Sequence, residues 1–409
     1  MDSASDNRFR WLEGGGTTSA MGFRACGVAA GMKVGRDDMA VVLSDVPASV
    51  AGVFTSNKVA AAPVLLDRER VARGTTRAVV ANAGCANACT GTVGYEDALA
   101  MATCLEETLG LAPGDALVAS TGVIGRRLPM DRIRDGIRLA ATALDPDGGA
   151  RASRAILTTD TVPKQAAVQF EIGGRTVTIG GMCKGAGMIE PNLATMLCFI
   201  TTDAAVASAD LQAALRAAVE PSFNRVTVDG DQSTNDTVLL FANGASGAPA
   251  IAPGTPEWGT FTAALDAVCL SLAKQIARDG EGATKFVEVH VRGAATQRDA
   301  LLAAKTIANS PLVKTAWFGG DPNWGRIISA VGDSAVAMDP LAVQIFFDQL
   351  AVYDRGRIAD EVQLKALEEI CSHKSFSVTV DLHVGEAAET VYTCDLSYEY
   401  VKINGEYTT

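Results

Sequence analysis

A single threonine raises the first chemical question. In "CKGAGMIEPNLATMLCFITTDA", Cys183 to Ala204, a glycine-rich segment leads through Lys184 and Pro191-Asn192 to Thr195, which opens the apolar run Met-Leu-Cys-Phe-Ile. A β-branched residue at the start of a strand is ordinary strand chemistry. The approach to it is less ordinary, because glycine and proline let a loop hold an unusual backbone beside a side chain. The 409-residue chain has only three histidines. His290 and His383 alternate with apolar neighbours and so face away from the apolar side, while His373 lies in a polar patch after a helix. None adjoins a Ser- or Cys-centred motif, so a histidine-based triad does not fit. A threonine escapes that need if the bond before it is cut, since its own freed α-amine then acts as base. An α-amine with a pKa of about 7.7–8.0 is partly neutral near neutral pH. Cleavage between Ala194 and Thr195 would supply nucleophile and base in one residue.

Such a nucleophile needs donors where an oxyanion develops. "ASTGVIGRRLP", Ala119 to Pro129, offers a strand end followed by a turn toward a helix. The Thr121 hydroxyl and the Gly122 N–H could both point at a carbonyl oxygen, and losing one such donor typically costs about 10²–10³ in rate. A simple glycine turn explains the same spacing. Other candidate motifs fall short. "GGMCKGAG" lacks the spacing of a phosphate-binding loop. "DGDQSTND", Asp229 to Asp236, lacks the glycine and glutamate of a calcium loop and reads as a polar turn with local bonds. The nine cysteines include no Cys-x-x-Cys pair, so no zinc site is expected and the thiols read as reduced and mostly buried.

The elements that must position these residues are strands and helices interleaved along the whole chain. "DMAVVLSD", "AGVFT", "RAVVAN" and "ALVAS" read as strands, and "EDALAMATCLEETLGL" and "MDRIRDGIRLAATAL" as helices. "AAVQFEIGGRTVTIGG" reads as a hairpin turning at Gly173-Gly174. Two amphipathic helices are expected near Ser208–Val219 and Glu257–Arg278, and two more at "TQRDALLAAKTIA" and "DEVQLKALEEI". The pattern favours antiparallel or mixed sheets covered by helices. "ANGASGAPAIAPGTPEWG" is the most linker-like stretch, or else a long surface loop.

At 409 residues, with 48% hydrophobic and 20% charged residues, the chain suits a globular protein of two domains. The reading places the cut near residue 285, giving domains 1–285 and 286–409. A net charge of −12 disfavours nucleic acid or an anionic membrane as partner. The first residues show no secretory signal, and no apolar run reaches bilayer length. A cytosolic protein is expected.

Taken together the motifs resemble one family. "KGAGMIEPNLATML" resembles the self-cleavage segment of the ornithine acetyltransferases, also called glutamate N-acetyltransferases. "GFRACGVAAGMK", "ANAGCANACTG", "STGVIG", "LTTDTVPK", "TVDGDQSTNDT", "EGATKF", "GGDPNWGRI" and "CDLSYEYVKINGEYTT" agree in the same order. Cys183 and Glu190 vary the loop without altering its glycines or its Pro-Asn.

The resemblance implies a layered αββα sandwich of the N-terminal-nucleophile-like, self-processing kind, with a smaller C-terminal α/β domain. It implies cleavage into an α chain, residues 1–194, and a β chain, residues 195–409, that stay together as an α₂β₂ assembly. Thr195 would carry the acetyl group from N²-acetyl-ornithine to glutamate in a ping-pong cycle of arginine biosynthesis, with Thr121 and Gly122 as oxyanion hole. Thr158, Lys184, Thr195, Glu281, Asn404 and Thr409 match substrate-contacting positions. Lys184 suits a substrate carboxylate and Glu281 the ornithine ammonium. No metal or organic cofactor is implied, and acetyl-CoA as a second donor stays open. Two other readings keep the same motifs: a self-cleaving aminopeptidase or amidase with water as acceptor, and an uncleaved binding homologue.

Overall fold

A computed structural model describes residues 7–190 and 196–406. Ala194, Thr195 and Thr409, and with them the bond expected to be cleaved, lie outside the described residues.

The first part of the chain builds one nine-stranded sheet. In chain order its elements are β1 (Arg10–Trp11), β2 (Phe23–Val28), β3 (Met39–Phe54), α1 (Ala62–Val71), β4 (Thr75–Cys85), α2 (Gly91–Leu109) and β5 (Ala116–Val123). There follow α3 (Met130–Thr142), α4 (Gly149–Ala155), β6 (Lys164–Ile172), β7 (Arg175–Lys184), β8 (Leu197–Thr202), α5 (Ser208–Val219), β9 (Thr237–Ala242) and α6 (Trp258–Arg278). The strand order is β1-β6-β7-β8-β9-β3-β4-β5, with β2 also on β3. The hairpin turns where the glycines place it, with φ of 55° at Gly173 and 73° at Gly174, and β6 pairs with β7 from Ile172↔Arg175 to Lys164↔Cys183.

The strands expected at "DMAVVLSD" and "AGVFT" are one strand, β3. Pro47 has no N–H to give the ladder, and the β3–β4 register shifts between Leu43 and Ala48 to absorb it. The early half of β3 pairs with β2 and β4, and the late half with β9. β3 thereby joins two halves of a sheet folded over on itself.

The buried clusters define the layers. One core interleaves Val42, Val79 and Leu117 of the first half with Met182, Leu197, Phe199, Leu239 and Phe241 of the second. The outer face of the first half, including Val41 and Val80, packs on Leu105 of α2 and Ile133 of α3. The outer face of the second, including Cys198, Ile200 and Leu240, packs on Leu215 of α5 and Leu265 of α6. This is an αββα sandwich. Alternate residues of β8 and β9 enter different cores, which is why these strands read as unbroken apolar runs. The "ANGASGAPAIAPGTPEWG" stretch joins β9 to α6 inside this sandwich and is a surface loop, not an interdomain linker.

The rest of the chain runs β10 (Phe286–Ala294), α7 (Gln297–Asn309), α8 (Pro311–Phe318), α9 (Trp324–Asp333), β11 (Gln344–Phe347), β12 (Leu350–Asp354), β13 (Arg357–Ile358), α10 (Glu361–Ser372), β14 (Ser375–Asp381), β15 (Ala387–Cys394) and α11 (Tyr398–Glu406). Its six-stranded sheet, β13-β12-β11-β14-β10-β15, carries a separate core of Val289, Ile307, Trp317, Ile345, Leu367 and Val378. The last helix, α11, buries no residue of its own and returns the chain toward the first sheet.

Candidate active site

A cavity of about 200 Å³ gathers Thr121, Gly122, Thr158, Lys184, Gly187, Asp229, Glu281, Tyr400 and Asn404. Every described residue of the expected site is therefore in one place, although Thr121 and Asn404 are separated by most of the chain.

Thr121 and Gly122 do not follow the strand, as their motif suggests; they lie within β5, which runs on to Val123. Gly122 has φ of +127°, and a Cβ there would sit 2.4 Å from the backbone carbon of Gly84 on β4. Only glycine fits that approach. The ladder shifts register at this point, so both strand ends turn away from regular pairing. Asn235 fixes them, its side-chain amide donating to the carbonyls of Ala86 (2.6 Å) and Ser120 (2.8 Å).

Lys184 is not a solvated loop lysine. It is the last residue of β7 and only 2% exposed. Its ammonium donates to the hydroxyls of Thr158 (2.9 Å) and Thr121 (3.3 Å). A hydroxyl that accepts from an ammonium keeps its own proton to donate elsewhere, so Lys184 sets Thr121 up as a donor to the cavity. Burial lowers the Lys184 pKa from its ordinary value, with Asp160 opposing. Leu197 pairs directly with Lys184, and Thr195 stands two positions before Leu197 in the chain.

Behind the lysine lies a buried charge network that no spacing of residues along the chain announces. Asp160 accepts from Lys164 Nζ (2.7 Å), Gly185 N (2.6 Å) and Thr158 N (3.2 Å). Lys164 also donates to Asp279 (2.5 Å), which holds the backbone N–H and hydroxyl of Thr161. Burial works against the Asp160 charge, yet Lys184, Lys164 and the Gly185 N–H outweigh it and bring its pKa down to about 2.

The opposite wall is acidic. Glu281 lies in the turn after α6, its N–H donating to Ala186 O (2.7 Å) and its carboxylate accepting from Asn404 Nδ2 (2.7 Å). A Cβ at Gly187 would lie 2.4 Å from that carboxylate and would have to push it aside. Asp229 accepts from the N–H groups of Met188 (2.7 Å) and Ile189 (2.8 Å) and from Tyr400 OH (3.2 Å). The "DGDQSTND" segment is thus not merely a turn with local bonds. Asp229 at one end holds the chain before residues 191–195, and Asp236 at the other accepts from Met196 N (3.0 Å) just after them. Burial pushes the Asp236 pKa well up. The Thr55 and Ser233 hydroxyls offset this partly, but its second oxygen has no hydrogen-bond partner among the described residues.

A sandwich with a strand-end lysine, a paired hydroxyl and backbone donor, and an acidic wall in one cavity defines an enzyme of the α/β class whose site sets a cation against carboxylates. The chain belongs to the ArgJ family, which it matches over residues 24–409. It is 54% identical over 404 residues to the arginine biosynthesis bifunctional protein ArgJ of Symbiobacterium thermophilum, covering 98% of this chain and 100% of that one. It is 48% identical over 407 residues to the glutamate N-acetyltransferase of Methanocaldococcus jannaschii, covering 97% and 99%. Among solved structures it resembles ArgJ of Bacillus halodurans, with 42% identity, a TM-score of 0.49, and coverage of 51% of this chain and 98% of that one.

Proposed function

We propose that this enzyme serves arginine biosynthesis as a glutamate N-acetyltransferase, moving acetyl from N²-acetyl-ornithine to glutamate through an acetyl ester on Thr195. The observation that carries this reading is the convergence of Thr121, Gly122, Thr158, Lys184, Glu281 and Asn404 on one cavity, beside the strand that Thr195 precedes by two residues. Cleavage between Ala194 and Thr195 frees the α-amine that acts as base. The two chains, 1–194 and 195–409, stay together through the six paired positions of β7 and β8 and assemble as α₂β₂ in the cytoplasm. No helix of the described residues is long and apolar enough to cross a membrane.

In the first half-reaction the Thr195 hydroxyl attacks the acetyl carbonyl carbon and its proton passes to the α-amine. Thr121 Oγ1 and the Gly122 N–H stabilise the resulting oxyanion. The C–N bond breaks, ornithine leaves with the proton, and the acetyl group stays on Thr195. Lys184 meets the substrate α-carboxylate and Glu281 the side-chain ammonium, with Asn404 and Thr409 closing the site. In the second half-reaction the neutral α-amine of glutamate attacks the ester carbonyl and the same donors hold the oxyanion. The ester C–O bond then breaks, the amine's proton passes by way of the Thr195 α-amine to Thr195 Oγ, and N-acetylglutamate departs. The residues alone carry the group, so no metal or organic cofactor is needed. Acetyl-CoA can enter as an alternative donor to the same ester, as the bifunctional name of the relatives invites.

Incubation with acetyl-ornithine, with and without glutamate, tests this. Acetyl transfer requiring glutamate supports the reading, whereas acetate release independent of glutamate makes the enzyme an amidase. Thr195→Ala is expected to remain a single inactive chain, and a cleaved or active variant would remove Thr195 from the mechanism. Glutamate acetylation from acetyl-CoA alone decides the second donor.

A further inference from the structure

The motif "LTTDTVPK" supplies Thr158 to the cavity, but its Asp160 and Lys164 face away from substrate and need a separate explanation. Lys164 is wholly buried between two carboxylates, Asp160 and Asp279. Lys184 is buried too, yet among the described residues it has no carboxylate within ion-pair distance, only the hydroxyls of Thr158 and Thr121. An ammonium in so dry a place would ordinarily pair with the nearest carboxylate. The carboxylate placed to do so is Asp160, whose Oδ1 accepts from the N–H of Gly185, the residue next to Lys184, and which acts on Lys184 more strongly than Glu281 or Asp236. Its oxygens are already taken by Lys164 and by the N–H groups of Gly185 and Thr158.

We propose that Lys164 is a positioning residue that occupies Asp160 and so prevents it from capturing Lys184, leaving the Lys184 ammonium directed at the cavity. Asp160 provides the field that favours a charged Lys184, and Lys164 keeps that attraction from becoming a closed ion pair. Asp279 completes the balance: two lysines and two carboxylates give a neutral buried set. It also lies two residues before Glu281, so the chain that fixes the carboxylate-binding lysine fixes the turn of the acidic wall.

The inference rests on the reading that Lys184 meets the substrate carboxylate, and that reading has its own test. Lys184→Met must raise the KM for acetyl-ornithine about tenfold or more, in line with loss of a charged hydrogen bond; an unchanged KM overturns that role whatever Lys164 does. Lys164 is then probed by a double-mutant cycle with Lys164→Met, Asp160→Asn and the pair. Lys164→Met alone is expected to raise KM about tenfold, and its crystal structure to show Lys184 Nζ moved from Thr158 and Thr121 onto Asp160. With the carboxylate gone there is nothing to capture the lysine, so the double variant should have a KM within about threefold of Asp160→Asn. That comparison holds even if Lys164→Met does not fold. A double variant with restored melting temperature but a KM still tenfold above Asp160→Asn would overturn the proposal, as would a Lys184 that stays on the threonines in Lys164→Met.

Discussion

The two walls of the cavity are built differently. Thr121, Gly122 and Lys184 sit on the ends of β5 and β7, in a sheet buried on both faces, and their backbone is fixed by ladders and by Asn235. Glu281 lies in a turn, and Asn404 and Tyr400 ride on α11, a helix with no buried residue. That helix is attached by side-chain bonds, Asn404 to Glu281 and Tyr400 to Asp229, by Ser397 Oγ to Gly282 O, and by the edge-on contact of Tyr398 with Phe318. On the proposed mechanism, the oxyanion donors are held where small displacements are costly, and the groups proposed to recognise a side chain are held where they can adjust. A transferase that must accept ornithine and glutamate in turn has reason to keep these apart.

Changes on the sheet wall should cost most. Gly122→Ala places a methyl against the Gly84 backbone and displaces the N–H that meets the oxyanion. We expect kcat per folded enzyme to fall by about 10²-fold or more in both half-reactions; steady-state kinetics, run below a melting temperature that the backbone clash itself lowers, checks it. Glu281→Gln removes charge from the acidic wall without changing its shape. It should lower kcat/KM for acetyl-ornithine about tenfold and leave the glutamate half-reaction within a few-fold. An equal loss for both would erase the distinction between the walls. Tyr400→Phe deletes one hydrogen bond of α11, worth about 0.5–1.5 kcal/mol, so KM should rise only a few-fold while kcat holds.

Acid stability gives a separate test. Asp160 has a folded-state pKa of about 2, below the ordinary carboxylate value of about 3.9. A depressed carboxylate contributes stability that is present above its unfolded pKa and is lost as pH falls through the folded one. Melting temperature should therefore drop between about pH 4 and 2, and Asp160→Asn should flatten that part of the curve.

Much of this was legible in the chain. Gly173-Gly174 marks its hairpin because a tight turn needs positive φ at both positions. α5 and α6 follow from apolar spacing, and the motifs gathered into one cavity carry the family. The misreadings have specific causes. "SDVP" inside β3 looks like a break, since sequence does not show that a neighbouring strand will absorb a proline by shifting register. "KGAG" looks like a loop, which hid a lysine at the buried end of a strand. "DGDQSTND" advertises turn-forming side chains but not which backbone they will hold, so the bonds of Asp229 and Asp236 to the two flanks of residues 191–195 are not legible in it. The pairing of Glu281 with Asn404, 123 residues apart, is a product of tertiary structure alone.

The central claim is that the acetyl group rests on Thr195. Intact-mass analysis of the purified protein after incubation with acetyl-ornithine and no glutamate addresses it directly. The account predicts two chains, with residues 195–409 heavier by one acetyl group located on Thr195, and the loss of that group when glutamate is added. A single 409-residue chain, or an acetyl group carried on any other residue, would contradict it.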